Sequence, residues 1–284
     1  LSQRIWMEEI RSKLLQNNLM LVFAAITPHT PLLIPTIGKE NIKAMSESVK
    51  ALTHLADDFY LSRPDTVIVI SSHATQYKDA FAINLHDEYF IDFKDFGDLS
   101  TSRSLAPDLE TITQIQRATR DEHIALTLDS SSSLDYGAGV PLTYLLSKSP
   151  DVQIVPLSHS GLSPRDHVRF GSLLKDVIDA SKKRIAIIAS GDLSHCLDSG
   201  SPLGFRPEGN VYDTQVIEAV KNQSLSTLLN LDETVLLQAG QCVHEQMLIL
   251  FGVLEKTQTR PEVLRYEHPF GVGYLVAEFH LTDL

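Results

Sequence analysis

The sequence predicts an α/β fold in which a single domain is built on a mainly parallel central sheet with helices on both faces. Hydrophobic, β-branched runs alternate along the chain with stretches of helical periodicity, which is the pattern of strand–helix–strand units. Three of these runs are followed closely by a histidine, at His29, His73 and His195. Parallel strands deliver their carboxyl ends to one edge of a sheet, so we expect these histidines to meet there.

The individual elements follow from hydrophobic spacing and from turn residues. Residues 40–61 carry apolar side chains at steps of three and four, which predicts a helix, and Pro64 ends the connection to the next strand. Further helices are predicted at residues 105–122, 165–182, 212–222, 225–229 and 232–255. Strands are predicted at residues 21–26, 66–70, 80–85, 152–157, 184–189 and 273–279.

Three segments do not fit this alternation. Residues 87–105 and 195–210 are predicted to be irregular loops above the histidine edge, because loops of this length in a compact domain commonly serve a site; disorder is the alternative. Residues 1–19 have an amphipathic spacing and are predicted to form an N-terminal extension or docking helix. Residues 20–284 are then expected to form the one main domain.

Composition argues against several classes of function. The chain of 284 residues has a formal net charge of -12 and no stretch rich in lysine or arginine, so a nucleic-acid partner is not expected. It contains no run of about twenty uncharged apolar residues, so no transmembrane helix is expected. The only two cysteines, Cys196 and Cys242, lie far apart, which favours a reducing, cytoplasmic setting over a disulfide framework.

Two of the histidines are candidate metal ligands. His29 lies between Pro28 and Thr30-Pro31, where the backbone is held in extended or turn geometry, and His73 follows the next core strand. Each histidine alone could equally be a loop residue bonded to a nearby carbonyl. Two imidazoles together favour a metal, and with one carboxylate they would form the facial triad of non-haem Fe(II) enzymes.

The third ligand is expected between residues 241 and 245. Glu245 precedes an apolar helix and is the preferred carboxylate ligand, although an acidic residue at a helix start can also act as a cap or interact with the helix dipole. Cys242 and His244 are rival donors in the same stretch. A thiolate ligand would shift the site toward zinc or another softer metal.

His195 is the candidate acid or base. It lies in Ser190-Gly191-Asp192-Leu193-Ser194-His195, directly after a core strand, where Gly191 permits a tight turn and Asp192 is close enough to orient an imidazole. A histidine titrates near neutral pH and suits proton transfer. The structural alternative is a turn in which Asp192 serves as a cap.

Six motifs in order resemble the class III extradiol ring-cleavage dioxygenase superfamily, also called LigB-like. The chain is most similar to the Memo-like branch associated with the AmmeMemoRadiSam system. The motifs are Thr27-Pro28-His29, Ser71-Ser72-His73, Asp135-Tyr136-Gly137 with Val140-Pro141-Leu142, Ser190-Gly191-Asp192-Leu193-Ser194-His195, Gly204-Phe205-Arg206-Pro207-Glu208-Gly209 and Phe270-Gly271-Val272-Gly273-Tyr274. The resemblance extends over residues 21–279.

The resemblance implies a non-haem Fe(II) site. His29 and His73 would be metal ligands, a carboxylate from residues 241–245 would be the third, and His195 would be the acid/base residue. A small catechol would bind through both hydroxyls, and dioxygen would open its ring beside the diol. The protein would supply orientation and proton transfer. The resemblance also implies a homodimer.

Two positions depart from the branch pattern. Tyr136 stands where the branch usually has histidine; tyrosine can donate a hydrogen bond to a substrate oxygen or to dioxygen, but it cannot replace imidazole proton chemistry near pH 7. Gln241 stands where an acid is common. These departures leave two alternatives to the dioxygenase: a non-catalytic metal-binding accessory protein, and a zinc hydrolase with His195 as the base.

Overall fold

A computed structural model describes residues 20–282 of the chain. The predicted N-terminal extension, residues 1–19, lies outside the described residues. No helix within residues 20–282 combines the length and the apolar character needed to cross a membrane.

An eight-stranded mixed sheet forms the centre of the domain. Its strands, in spatial order, are β6-β3-β7-β2-β8-β1-β10-β9. Their bounds are β1 Leu21–Thr27, β2 Thr66–Ser71, β3 Phe81–Asn84, β6 Leu126–Asp129, β7 Gln153–Ser158, β8 Ile185–Ser190, β9 Thr259–Glu267 and β10 Tyr274–Leu281. The pairs β1–β8, β2–β8, β2–β7 and β3–β6 are parallel, whereas the pairs β3–β7, β1–β10 and β10–β9 are antiparallel. The predicted α/β class with a mainly parallel sheet is therefore confirmed.

Helices cover both faces of this sheet. The helices described are α1 Pro35–Gly38, α2 Ser46–Ser62, α3 Leu109–Asp121, α4 Tyr136–Leu145, α5 Pro164–Ala180, α6 Pro207–Lys221, α7 Leu225–Leu229, α8 Glu233–Ala239 and α9 His244–Leu254. Short 3-10 turns occupy Pro31–Leu33, Lys39–Met45 and Lys94–Phe96. Most predicted helices are present within a few residues, but the first part of the helix expected at 40–61 is 3-10.

The core has two halves, one on each face of the sheet. Side chains alternate along β2: Ile68 and Ile70 pack with one half, and Val67 and Val69 with the other. Both halves are apolar, which is why central strands such as β8 are hydrophobic throughout their length. A sheet buried on both sides leaves its strand ends as the place where polar side chains can gather.

Two sequence predictions about individual elements are wrong. Residues 87–105 are not irregular: β4 (Tyr89–Phe93) and β5 (Asp98–Leu105) form a separate antiparallel hairpin. The single helix expected at 232–255 is divided into α8 and α9 by Gly240, which has a φ of 63°. A left-handed residue cannot continue an α-helix, and glycine adopts this conformation without a steric penalty. In the segment predicted as the loop 195–210, helix α6 begins at Pro207.

Candidate metal centre

The carboxyl ends of three neighbouring strands build the site. β2, β8 and β1 are adjacent in the sheet, and His73, Asp192 and His29 follow them within two residues. Their order in space brings together residues that are far apart in sequence; His29 and Asp192 are separated by 163 positions. Polar residues therefore meet at one edge of the sheet, as expected from the sequence.

Three donor atoms converge at this edge. The Nε2 atoms of His29 and His73 are 3.2 Å apart, and the Sγ atom of Cys242 is 3.3 Å from Nε2 of His29. All three ligand atoms lie within 4.8 Å of one another. Ligands of a tetrahedral ion at about 2.0–2.3 Å lie roughly 3.3–3.8 Å apart, so the cluster has the spacing of a metal site. The residues present therefore fit a single divalent ion.

The imidazoles are held in the neutral form that binds metals. Burial and, to a smaller extent, the charge of His195 lower the pKa of His29 to about 3. Burial also lowers the pKa of His73 to about 4, with the charge of His29 as the next cause. A neutral imidazole has a free lone pair, so near pH 7 no proton has to be displaced from either ring before a cation binds.

His29 is fixed in place by the loop after β8. Its backbone N–H donates to Oδ1 of Asp192 at 3.0 Å, and its side chain is 2% exposed. The second oxygen, Oδ2 of Asp192, lies 3.9 Å from Nε2 of the same histidine. Burial raises the pKa of Asp192 to about 6. Asp192 thus anchors a candidate ligand through the backbone and presents a carboxyl group to its ring.

Glycine allows α4 to approach His73. A Cβ atom at Gly137 would lie 2.4 Å from Oγ of Ser71 and 3.2 Å from Cδ2 of His73. Ser71 in turn accepts the backbone N–H of His73 at 3.2 Å and donates to the Asp135 carboxylate. Asp135 also caps α4 by accepting the N–H of Ala138. A chain of polar contacts thereby connects the start of a helix to a candidate ligand.

Cys242, in the connection between α8 and α9, is the third member of the cluster. Its N–H donates to the carbonyl of Asp192 at 3.2 Å, and a Cβ at Gly191 would lie 2.6 Å from the Cys242 carbonyl. Burial and, to a smaller extent, the Asp192 charge raise the pKa of its thiol to about 12. A bound cation would reverse this effect, because coordination strongly favours the thiolate.

Glu245, the preferred carboxylate ligand in the sequence, is not part of the cluster. It lies in the first turn of α9, where acidic residues interact favourably with the helix dipole. Gln241 caps the same helix: its Oε1 accepts the N–H groups of Val243 and His244 at 2.8 Å each. With Gln241 capping the helix, Cys242 lies just before its first turn and beside His29. His244 is also outside the three-residue cluster.

Tyr136 lies over His73. The two rings are stacked with centroids 4.2 Å apart, and the tyrosine hydroxyl is 2.8 Å from Nε2 of His73. Burial raises the Tyr136 pKa to about 12, with the Cys242 charge as the next cause, so the hydroxyl keeps its proton. This residue can therefore donate a hydrogen bond to a molecule held beside the cluster.

His195 belongs to the same edge of the sheet. Its backbone is held by hydrogen bonds with Ala239 and Leu203, and its charge acts on the pKa values of His29, His73 and Asp192. Its Nδ1 atom is buried and has no hydrogen-bond partner among the described residues.

A cavity of about 310 Å³ opens beside His73 and Tyr136. Phe93 and Phe96 of the β4–β5 hairpin form part of its wall, and the ring of Phe96 meets Tyr136 edge to face at 5.2 Å. The β4–β5 hairpin, which the sequence predicts as an irregular loop, therefore forms part of this cavity. The cavity is thus bordered by aromatic side chains and by one of the three donor residues, His73.

Comparisons with known proteins agree with this picture. Residues 23–277 match the family described as the catalytic LigB subunit of aromatic ring-opening dioxygenase. Protein CA_C1420 of Clostridium acetobutylicum is 29% identical over 258 residues, which cover 88% of this chain and 55% of that protein. The chain therefore spans about half the length of this curated relative.

A solved structure shares the fold. The crystal structure of the uncharacterized protein JW3007 from Escherichia coli K12 superimposes with a TM-score of 0.66 at 17% sequence identity. The match covers 90% of this chain and 99% of that one. At this identity the similarity concerns the fold alone.

Proposed function

Because the chain belongs to the LigB family of aromatic ring-opening dioxygenases, we propose that it is a non-haem, Fe(II)-dependent extradiol-type dioxygenase acting on a small catechol. The observation that carries this proposal is the convergence of His29, His73 and Cys242 beside an aromatic-walled cavity. The family match covers residues 23–277, and the substrate, the metal and the residue roles are proposed here.

The ion would be held by two neutral imidazoles and one thiolate. His29 and His73 would take the places of the two histidines in a facial triad, and Cys242 would take the place of the carboxylate. When bound, non-haem iron supplies the redox chemistry that joins dioxygen to the diol. Glu245 stays a prediction as a ligand, because it lies outside the cluster.

The remaining residues would position the substrate and move protons. The catechol ring would lie against the wall formed by Phe96 and Tyr136, with its hydroxyls toward the donor cluster. The Tyr136 hydroxyl would donate a hydrogen bond to an oxygen of the substrate. His195, near Asp192, would accept the proton that a catechol hydroxyl loses on binding and return it when the ring opens.

Anaerobic reconstitution with Fe(II), followed by oxygen-uptake measurements over a catechol panel, tests this function. We expect about one iron per chain and one O₂ consumed per ring opened. His29→Ala should reduce iron affinity by at least about 100-fold, because it removes a direct ligand. Cys196→Ala, which removes the other thiol, should retain iron because Cys196 lies outside the cluster.

A second candidate is a metal-binding accessory protein without ring cleavage. The thiol donor favours this alternative, because a thiolate is softer than a carboxylate and suits zinc as well as iron. Stoichiometric metal without oxygen uptake on any catechol would contradict the dioxygenase and support the accessory role. Metal analysis of protein purified without added metal would distinguish iron from zinc.

We also propose a cytoplasmic, dimeric protein. Both cysteines are free, and Cys242 can bind a metal only while its thiol stays reduced, which a reducing compartment provides. The dimer follows from the family resemblance and from the frequency of two-fold symmetric pairs. Light scattering of the purified protein at micromolar concentration measures its mass directly.

A further inference from the structure

The cavity beside the donor cluster is strongly acidic. Four aspartates line it, Asp92, Asp95, Asp129 and Asp135, and among the described residues its lining contains no lysine or arginine. His73 is the one histidine in the lining. The carboxylates of this lining therefore attract a cationic group that comes close to them.

The four aspartates differ in how far they are already neutralised. Asp135 is engaged with Ser71 and with the start of α4, and Asp92 pairs with Lys94 at 3.3 Å. Asp129 accepts only the neighbouring backbone N–H of Ser130 at 2.8 Å, and Asp95 lies on the 3-10 turn beside Phe96. Among the described residues, neither Asp95 nor Asp129 forms an ion pair with a lysine or an arginine, whereas Asp92 does.

The aromatic wall favours the same kind of ligand. Phe96 and Tyr136 meet edge to face at the cavity, so ring faces and ring edges border the space next to the aspartates. Aromatic faces attract cations, and an ammonium group near both a carboxylate and a ring gains from each. An anionic side chain would instead be repelled by every charged group in the lining.

Building on the dioxygenase function above, we propose that the substrate is a catechol whose side chain carries a protonated primary amine. The diol would face His29, His73 and Cys242, and the ammonium group would reach Asp95 and Asp129 on the far wall. Primary amines stay protonated at pH 7, since their pKa is about 10. Catechols with carboxylate side chains are expected to be excluded by charge.

Three catechols of similar size separate the effect of charge from that of shape. Dopamine, 4-ethylcatechol and 3,4-dihydroxyphenylacetate carry a positive, a neutral and a negative side chain. Their binding would be measured by calorimetry at pH 7 on the Zn(II)-loaded protein, which cannot turn them over. We expect dopamine to bind about tenfold more tightly than the neutral catechol and more tightly still than the anion, with a preference that falls as salt rises.

A matched pair of variants assigns the preference to the cavity. Asp95→Asn/Asp129→Asn should remove most of the preference for dopamine and leave 4-ethylcatechol binding unchanged. Asp121→Asn/Asp176→Asn changes the net charge equally at exposed helix positions outside the cavity, so its preference should match that of the wild type. Equal binding of the three catechols, or a preference that survives in the Asp95/Asp129 variant, would overturn the proposal.

Oxygen uptake on the iron-loaded protein separates this inference from the proposed function. Turnover of all three catechols at equal kcat/KM would leave the dioxygenase in place and refute the charge preference. No turnover of any catechol, with iron bound, would refute the dioxygenase, while the calorimetric series would still decide whether the cavity selects cations.

Discussion

At the scale of single residues, the site depends on two glycines whose lack of a side chain lets neighbouring segments come close. Gly137 leaves room for Ser71 and His73, and Gly191 leaves room for the backbone of Cys242. Neither glycine has a positive φ, so their value here lies in close approach and not in backbone freedom. Ligand position is therefore set by packing around the donors.

Gly137→Ala is expected to weaken metal binding by at least about tenfold, within the range seen for changes around metal ligands. The new methyl group would lie 2.4 Å from Oγ of Ser71, 2.8 Å from Oδ1 of Asp135 and 3.2 Å from Cδ2 of His73, so the contacts that hold His73 must shift. Competition with a chromophoric chelator measures the affinity.

Gly139→Ala is the matched control, two residues further along α4. Its methyl group would lie 3.2 Å from Cγ2 of Ile91, away from the donors, and alanine favours a helix over glycine by about 1 kcal/mol. Metal affinity should then stay at the wild-type value. Equal losses in both variants would mean that general damage to α4, and not the contact with His73, controls the site.

The donor residues show how far sequence reasoning reaches. His29 and His73 could be singled out because each follows a core strand, and strand order places them at one edge. The pattern does not show which of Cys242 and Glu245 lies beside the two histidines, because this depends on where the helix begins. The Gln241 cap at the helix start and the close approach of Gly191 to Cys242 place the cysteine there.

At the scale of elements, the break between α8 and α9 is what carries Cys242 to the site. Gly240 ends α8 in the left-handed conformation, with a φ of 63°, and the chain then turns toward Asp192. Apolar periodicity continues across residues 232–255, so the pattern predicts one helix where there are two. A single glycine within that pattern was the available signal.

Gly240→Ala is expected to lower the free energy of unfolding by about 1–2 kcal/mol, the cost of a left-handed non-glycine residue. Its Cβ would also lie 2.2 Å from Cδ1 of Leu203, the flexible end of a side chain that has to move. Urea denaturation measures the change. Gly204→Ala, with a φ of 67° and nothing within 4 Å of the added carbon, reports the backbone cost alone. A smaller loss at residue 240 than at 204 would refute the contribution of Leu203.

Other elements were missed for physical reasons. β9 contains Pro261 and several charged residues, which obscure a strand pattern; the strand lies at the edge of the sheet, where proline is tolerated. The β4–β5 hairpin has the polar sequence expected of a loop, yet it buries Tyr89, Ile91 and Phe93 against the second half of the core. Long-range packing defines both elements.

At the scale of the whole molecule, acidic groups meet where α2 packs on the outer strands of the sheet. Glu278 of β10 is buried there beside Asp58 of α2, and its Oε2 atom has no hydrogen-bond partner among the described residues. Burial and, to a smaller extent, the charge of Asp58 raise the pKa of Glu278 to about 8. Nearby, the His280 imidazole lowers the pKa of Glu262.

Because the pKa of Glu278 is raised, this residue makes the folded protein less stable as pH rises. A carboxylate with a lowered pKa has the opposite effect. The folded protein holds this proton up to a pH of about 8, whereas the unfolded chain loses it near the ordinary value of 4.5. The contribution of Glu278 is thus greatest below pH 4.5, declines as pH rises from 4.5 to 8, and is constant above. Glu278→Gln keeps the shape without the charge and should raise the free energy of unfolding at pH 8 by on the order of 2 kcal/mol.

The measurement is the difference between Glu278→Gln and wild type in urea denaturation at pH 5 and pH 8, so that titrating groups without a contact to Glu278 cancel. The His280 imidazole, whose Nδ1 lies 3.4 Å from Oε1 of Glu278, is one group in contact. The difference should be several-fold larger at pH 8. Glu262→Gln is the control with the opposite sign: a carboxylate with a lowered pKa stabilises the fold above its unfolded pKa, so its loss should not stabilise the protein at pH 8. A Glu278→Gln variant that is equally stable relative to wild type at both pH values would show that Glu278 is already ionised in the native state. The repulsion between the Glu278 and Asp58 carboxylates would then have to be offset by other groups between α2 and the outer strands.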